Sequence, residues 1–89
     1  MEKENRQIIL TKPAWKVYER AGNKMQERLD RCFEELQKNP LSGGNIKPLT
    51  GKLRGLYRYR IGDWRVIYRI VHERTTIEVI AILPRGDAY

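Results

Sequence analysis

The sequence predicts an α+β fold of the kind in which an N-terminal strand and a helical hairpin are followed by a three-stranded antiparallel meander. The helices pack on one face of the twisted sheet. Three observations predict it. Apolar positions recur at three- and four-residue steps through Trp15, Tyr18, Gly22, Met25, Leu29, Cys32 or Phe33, and Leu36, which is helical spacing. Apolar and polar residues alternate from Leu56 to Val71 on either side of Gly62-Asp63, which reads as a hairpin. Helices that precede a run of strands indicate an α+β domain rather than a βαβ repeat.

Taken in order, Gln7 to Thr11 (QIILT) is a short β-branched run and a first strand. Thr11 is placed to cap a helix, and Pro13 suits a first turn, where its missing N–H costs nothing. The spacing predicts helices over 13–21 and 24–38. Gly22 is expected as a left-handed C-cap and Asn23 as the next N-cap. Acidic residues Glu19, Glu27, Asp30, Glu34 and Glu35 fall on outer faces beside Lys and Arg. Asn39-Pro40 stops the second helix. Residues 40–55, with two prolines and four glycines, read as a loop. Its charged residues, Lys47, Lys52 and Arg54, are all basic, as a segment following a phosphate backbone would be. Strands follow at Leu56–Ile61, Trp64–Val71 and Thr76–Leu83. Gly62-Asp63 fits a II′ turn, and His72 to Thr75 forms the second turn.

With 89 residues the chain is expected to be one domain, 1–89. Eighteen Lys and Arg stand against 11 acidic residues, a formal +7. That balance suits a polyanionic partner: nucleic acid, an acidic protein or an anionic membrane. Charge alone serves solubility equally well. The single cysteine, Cys32, excludes an intrachain disulfide and a zinc cluster and fits a reducing compartment. No apolar run approaches the ~20 residues that cross a bilayer, and MEKENRQ does not resemble a signal peptide. No membrane partner is expected, and the expected location is the cytoplasm.

The two-residue turn fixes the register of the hairpin. Tyr57 faces Tyr68, Arg58 faces Ile67, Tyr59 faces Val66, Arg60 faces Arg65, and Ile61 faces Trp64. One face collects Tyr57, Tyr59, Ile61, Trp64, Val66, Tyr68 and Ile70 as a core face. The other collects Arg58, Arg60, Arg65 and Arg69. Like charges directly opposite destabilise a sheet, and a face made for solubility mixes signs. Asp63 lies in the turn and Glu78 in another strand, so no acid is expected to relieve this patch. The arginines can lie flat over Ile67 as a solvated face, or they can hold an anion such as RNA phosphate.

Paired carboxylates, a Cys/His couple, a P-loop and a metal-ligand cluster are all missing from the sequence. His72 reads as a turn residue and Cys32 as packing. A metal-free reaction on RNA remains, because RNA carries its own nucleophile, the 2′-OH. Arginine stabilises developing phosphorane charge through bidentate contacts. A Lys, Arg or Tyr with a depressed pKa can move protons, and an aromatic can stack on a base.

The run KxLxGKLRGLYRYRIGDWRVIYRI, the apolar strand after it and the closing PRGDAY resemble the RelE/ParE superfamily of bacterial toxins. The strand and helical hairpin before them agree in order and size. RelE-like members are ribosome-dependent mRNA endonucleases that cut the A-site codon and are neutralised by a cognate antitoxin. ParE-like members share the fold, poison DNA gyrase and lack the basic catalytic set. The resemblance therefore implies a toxin of a type II toxin–antitoxin system, a metal-independent endoribonuclease without cofactor. The implied partners are an antitoxin, the 70S ribosome and mRNA. The alternatives are a gyrase inhibitor without nuclease activity and an inactive nucleic-acid-binding module. By position, the resemblance gives catalytic roles to Arg58, Arg60, Arg65, Arg85 and Tyr89. It gives RNA or ribosome contacts to Lys52 and Arg54, and the hairpin and loop reading adds Lys47 and Arg69. The chain departs from the pattern in three ways. Arginine replaces lysine at 58 and 60, the Arg85 to Tyr89 spacing is short, and no C-terminal helix follows Tyr89.

Overall fold

The computed structural model describes residues 6–73 and 75–84. Strand β1 (Gln7–Leu10) leads into helices α1 (Lys12–Arg20) and α2 (Asn23–Lys38). Then come β2 (Ile46–Pro48), a 3-10 turn (Gly51–Leu53), β3 (Tyr57–Ile61), β4 (Trp64–Val71) and β5 (Thr76–Leu83). The five strands form one sheet in the order β1-β5-β4-β3-β2. β1 runs parallel to β5, and every other pairing is antiparallel.

The local chemistry accounts for the joints. Thr11 caps α1: its Oγ1 accepts from the Ala14 N–H at 3.3 Å and donates to the Ile80 carbonyl at 2.8 Å. One side chain thus starts the helix and ties it to β5. Pro13 lies in the first turn. The joint between the helices differs from expectation. Gly22 is extended, with φ −71° and ψ 170°, and is itself the N-cap of α2. The chain leaves α1 through extended Ala21, so no left-handed cap is needed. Asn23 is already inside the helix.

A second difference lies in the stretch read as a loop. Ile46–Pro48 adds to the sheet as an edge strand opposite β3. Pro48 is tolerated there because an edge position leaves one side of the ladder open. The 3-10 turn then returns the chain, and the Leu49 N–H donates to the Leu56 carbonyl at 2.9 Å.

The hairpin has the register expected from its turn, from Tyr57↔Tyr68 to Ile61↔Trp64. Gly62 has φ +56° while Asp63 stays out of the left-handed region, the pattern of a II′ turn. Its inner face meets the helices. Tyr59, Ile61, Val66 and Tyr68 form a core with Ala14, Leu29, Cys32, Leu36, Ile77, Val79 and Ile82. Tyr57, Trp64 and Ile70 pack around it, partly buried. A bulge between Ile67 and Tyr68 shifts the pairing of β4 with β5. That shift is why Ile77 and Val79 are buried on one parity of β5 and Ile82 on the other.

Two tyrosine hydroxyls lock the layers together. Tyr68 donates to the Pro40 carbonyl at 2.7 Å in the interior, and Tyr59 donates to Glu35 on α2 at 2.6 Å. Near the start of β1, Arg6 and Gln37 exchange side-chain to backbone hydrogen bonds at 3.1 and 2.8 Å. Among the described residues no helix is long and apolar enough to cross a membrane.

Candidate functional site

The outer face of the sheet, away from the helices, gathers the basic residues. Arg60 stands opposite Arg65, and Arg58 opposite Ile67. The Arg60 N–H is directed away from β4, donating to the Asn45 carbonyl at 3.0 Å. Arg60 and Arg65 are therefore a non-hydrogen-bonded pair, the closer of the two antiparallel pair types at about 4.5 Å between Cα atoms. The short β2 strand places Lys47 directly across from Arg58. Four cationic side chains thus occupy neighbouring positions on three strands. Sequence periodicity did not reveal β2, since three residues with a proline among glycines carry no readable alternation.

Burial divides these residues. Arg60 and Lys47 are exposed, and Arg58 and Arg65 are half-buried. Ile67, between them on the same face, is 5% exposed, so the flanking aliphatic stems cover it. The Arg58 Nε is buried and has no hydrogen-bond partner among the described residues. A buried donor left unpaired costs roughly 1–3 kcal/mol. Arg58 also helps to line a cavity of about 320 Å³, with Lys47, Pro48, Leu49, Thr50 and Leu53. An oxyanion in that cavity would have Arg58 and Lys47 beside it.

Arg69 behaves differently. The register puts it opposite Glu78 on β5, and its Nε donates to Glu78 Oε1 at 2.6 Å. The expectation that no acid relieves the patch is therefore wrong at this end. Adjacent strands bring Glu78 across from Arg69, and a distance of nine residues in sequence hides it. Lys52 and Arg54 sit in and just after the 3-10 turn, both exposed. Arg85 and Tyr89 lie outside the described residues.

The tyrosines of the hairpin belong to the opposite face. Burial foremost, then the hydrogen bond to Glu35, pushes Tyr59 up to about 12. Burial also pushes Tyr68 up. Both shifts run against what a general base needs. Cys32 is 1% exposed within the core, and burial raises its thiol well above the usual range, so it packs rather than reacts. No group of three or more His, Cys, Asp and Glu side chains among the described residues is arranged to hold a metal ion.

Comparison with known proteins agrees with this architecture. The RelE–RelB complex of the archaeon Pyrococcus horikoshii contains a chain 26% identical, with TM-score 0.78, covering 96% of this chain and 100% of that one. The YoeB/ParE toxin of Agrobacterium tumefaciens is 25% identical, with TM-score 0.80, over 89% of this chain and 98% of that one. An α+β scaffold of this form is that of the RelE-type toxins. A family model described as the ParE toxin of the type II toxin–antitoxin system parDE matches residues 8–89, and the chain belongs to this family of the RelE/ParE superfamily. Among curated relatives, toxin RelG of Mycobacterium tuberculosis is 39% identical over 58 residues, 65% of this chain and 64% of that one. Toxin RelE of the same organism is 40% identical over 57 residues, 64% of this chain and 57% of that one. The chain thus spans less than two thirds of the length of either.

Proposed function

We propose that this toxin cleaves mRNA in the ribosomal A site and is held inactive by a cognate antitoxin. The observation that carries the reading is the cationic set on the outer sheet face. Lys47, Arg58, Arg60 and Arg65 make no ion pair among the described residues, whereas Glu78 is engaged by Arg69. A sheet keeps four like charges adjacent at a cost in stability, and a phosphodiester would offset it.

The chemistry needs no resident metal in this reading. The RNA 2′-hydroxyl loses its proton as its oxygen attacks the neighbouring phosphorus, the bond from phosphorus to the 5′-oxygen breaks, the 5′-oxygen takes up a proton and leaves as a hydroxyl, and a 2′,3′-cyclic phosphate remains. Guanidinium groups neutralise the extra charge of the phosphorane. Arg58 and Arg65, half-buried, hold their planes more firmly than exposed side chains, and preorganised donors are what such a step rewards. Arginine carries charge, not protons, at neutral pH. The roles proposed for Arg85 and Tyr89 rest on the family resemblance. The antitoxin follows from membership in a family described as toxins of a type II toxin–antitoxin system, and the RelB partner of RelE in the Pyrococcus horikoshii complex supports it.

Purified protein, ribosomes and mRNA decide the matter. Cuts within A-site codons, lost in Arg65→Ala, are the expected result. Intact mRNA together with inhibition of gyrase supercoiling would replace this reading with the gyrase-directed one that the ParE description of the family model favours.

A further inference from the structure

A second basic feature lies off the outer face, at the edge where α2 overhangs the tip of the hairpin. A cleft of about 220 Å³ there is lined by Arg28 and Arg31 of α2, Arg60 of β3, Asn45, Tyr59 and Gly62. Among the described residues its lining holds three arginines and no carboxylate. Neither Arg28, Arg31 nor Arg60 makes an ion pair or side-chain hydrogen bond among the described residues. Of the acids on α2 within a turn of these arginines, Asp30 accepts from the Tyr18 hydroxyl at 2.7 Å and Glu35 from the Tyr59 hydroxyl at 2.6 Å, and neither Glu27 nor Glu34 makes an ion pair among the described residues.

Arg28 is placed there by the turn. A Cβ on Gly62 would stand 2.8 Å from Arg28 Nη2, so the missing side chain leaves room for the guanidinium against the turn. Arg31 lies one helical turn further along, on the same side of α2. Like charges three residues apart on a helix repel, and here a third arginine joins them. Arg60 belongs both to this cleft and to the pair with Arg65 on the outer face. The two features therefore meet at Arg60.

We infer that this cleft is a phosphodiester subsite for the single-stranded RNA whose scissile phosphate lies on the outer face. Arg28 and Arg31 grip the backbone a short way along the strand, and Arg60 bridges the two places. The inference rests on the RNA-directed reading of the outer face but turns on Arg28 and Arg31, which that face does not include. The polar, open cleft suits a charged backbone group rather than a base, since among the described residues its one aromatic, Tyr59, is buried. Neither Arg28 nor Arg31 has a role in the family resemblance or in the outer-face site.

Fluorescence anisotropy with a 2′-O-methylated RNA dodecamer tests it, because such RNA binds but lacks the nucleophile. The slope of log affinity against log salt becomes shallower by about 0.7 for each phosphate of a single strand that the protein no longer neutralises. Arg28→Gln/Arg31→Gln should weaken binding and make the slope shallower by about 0.7 to 1.4, for one or two phosphates. Arg28→Lys/Arg31→Lys should restore most of the slope. Lys12→Gln/Lys16→Gln, with the same change of charge on exposed positions of α1, should leave it unchanged. Equal reductions in both glutamine variants would overturn the inference in favour of diffuse electrostatics. An unchanged slope in Arg28→Gln/Arg31→Gln would also overturn it, and weakened antitoxin binding in that variant would then assign the cleft to an acidic protein segment. Thermal melting of each variant separates misfolding from weakened binding, and if the double Gln variant unfolds, Arg31→Gln alone is read instead: a slope shallower by about 0.7 supports the subsite and an unchanged slope overturns it. If mRNA cleavage on the ribosome is absent but the slope changes as stated, the subsite stands and the nuclease reading fails. If cleavage occurs and the slope does not change, the nuclease reading stands and the subsite fails.

Discussion

Glu78 Oε1 accepts a 2.6 Å hydrogen bond from Arg69 Nε across the β4–β5 ladder, and this pair ends the otherwise uncompensated row of cations. The arginine side chain is 52% exposed, so the pair contributes only about 0.2–1 kcal/mol to stability. Glu78→Gln should lower stability within that range in urea titrations. It should also tighten RNA binding at low salt, because it adds one net positive charge to the face. Weaker RNA binding by Glu78→Gln would mean that Arg69 is used through its carboxylate partner.

Arg60 and Arg65 form the closer kind of antiparallel pair, so replacing one relieves repulsion while removing a proposed phosphate ligand. Arg60→Thr, which places a β-branched residue in the strand, should raise stability by about 0.2–1 kcal/mol. Arg65→Ala should reduce the cleavage rate about 10²- to 10³-fold, the scale of losing one preorganised charge donor. Single-turnover cleavage and denaturant titration on the same preparations give both numbers.

Tyr68 donates to the Pro40 carbonyl in the interior. Tyr68→Phe leaves that carbonyl without its partner and should cost about 1–3 kcal/mol. The Tyr68 side chain lies on the core face of the sheet, opposite the basic one, so RNA affinity at a temperature where the variant is folded should match the parent.

Tyr59 is held protonated in the fold, pushed up to about 12 from an ordinary value of 10.0 by burial and by its hydrogen bond to Glu35. As pH rises past 10.0, the unfolded chain gives up this proton while the folded chain keeps it until about 12. The stabilisation is therefore fully present below pH 10.0 and is lost as pH climbs to about 12. Burial acts on Tyr68 in the same direction. The urea midpoint should fall with pH over this window, and Tyr59→Phe should make the fall shallower without removing it.

Much of this fold was legible from local chemistry. Thr11 and Pro13 mark the start of α1, and Asn39-Pro40 marks the end of α2. The Gly62-Asp63 turn sets every pairing from Tyr57↔Tyr68 to Ile61↔Trp64. Alternation then assigns tyrosines to the core and arginines to the outer face. Each of these depends on residues close together in sequence, where steric preference and periodicity act directly. The joint at Gly22 misled because glycine serves an extended N-cap as readily as a left-handed C-cap.

The sequence by itself determined that an arginine-rich hairpin face would exist, which residues it would hold and which family its pattern resembles. The tertiary structure decided how that charge is distributed. It recruited β2 to set Lys47 opposite Arg58 and brought Glu78 across to Arg69. It also laid α2 against the hairpin tip so that Arg28 and Arg31 meet Arg60 in a cleft. These are pairings between separate elements, and their free energies come from packing and charge across the assembled sheet. No spacing along the chain encodes such a neighbour until the layers have closed.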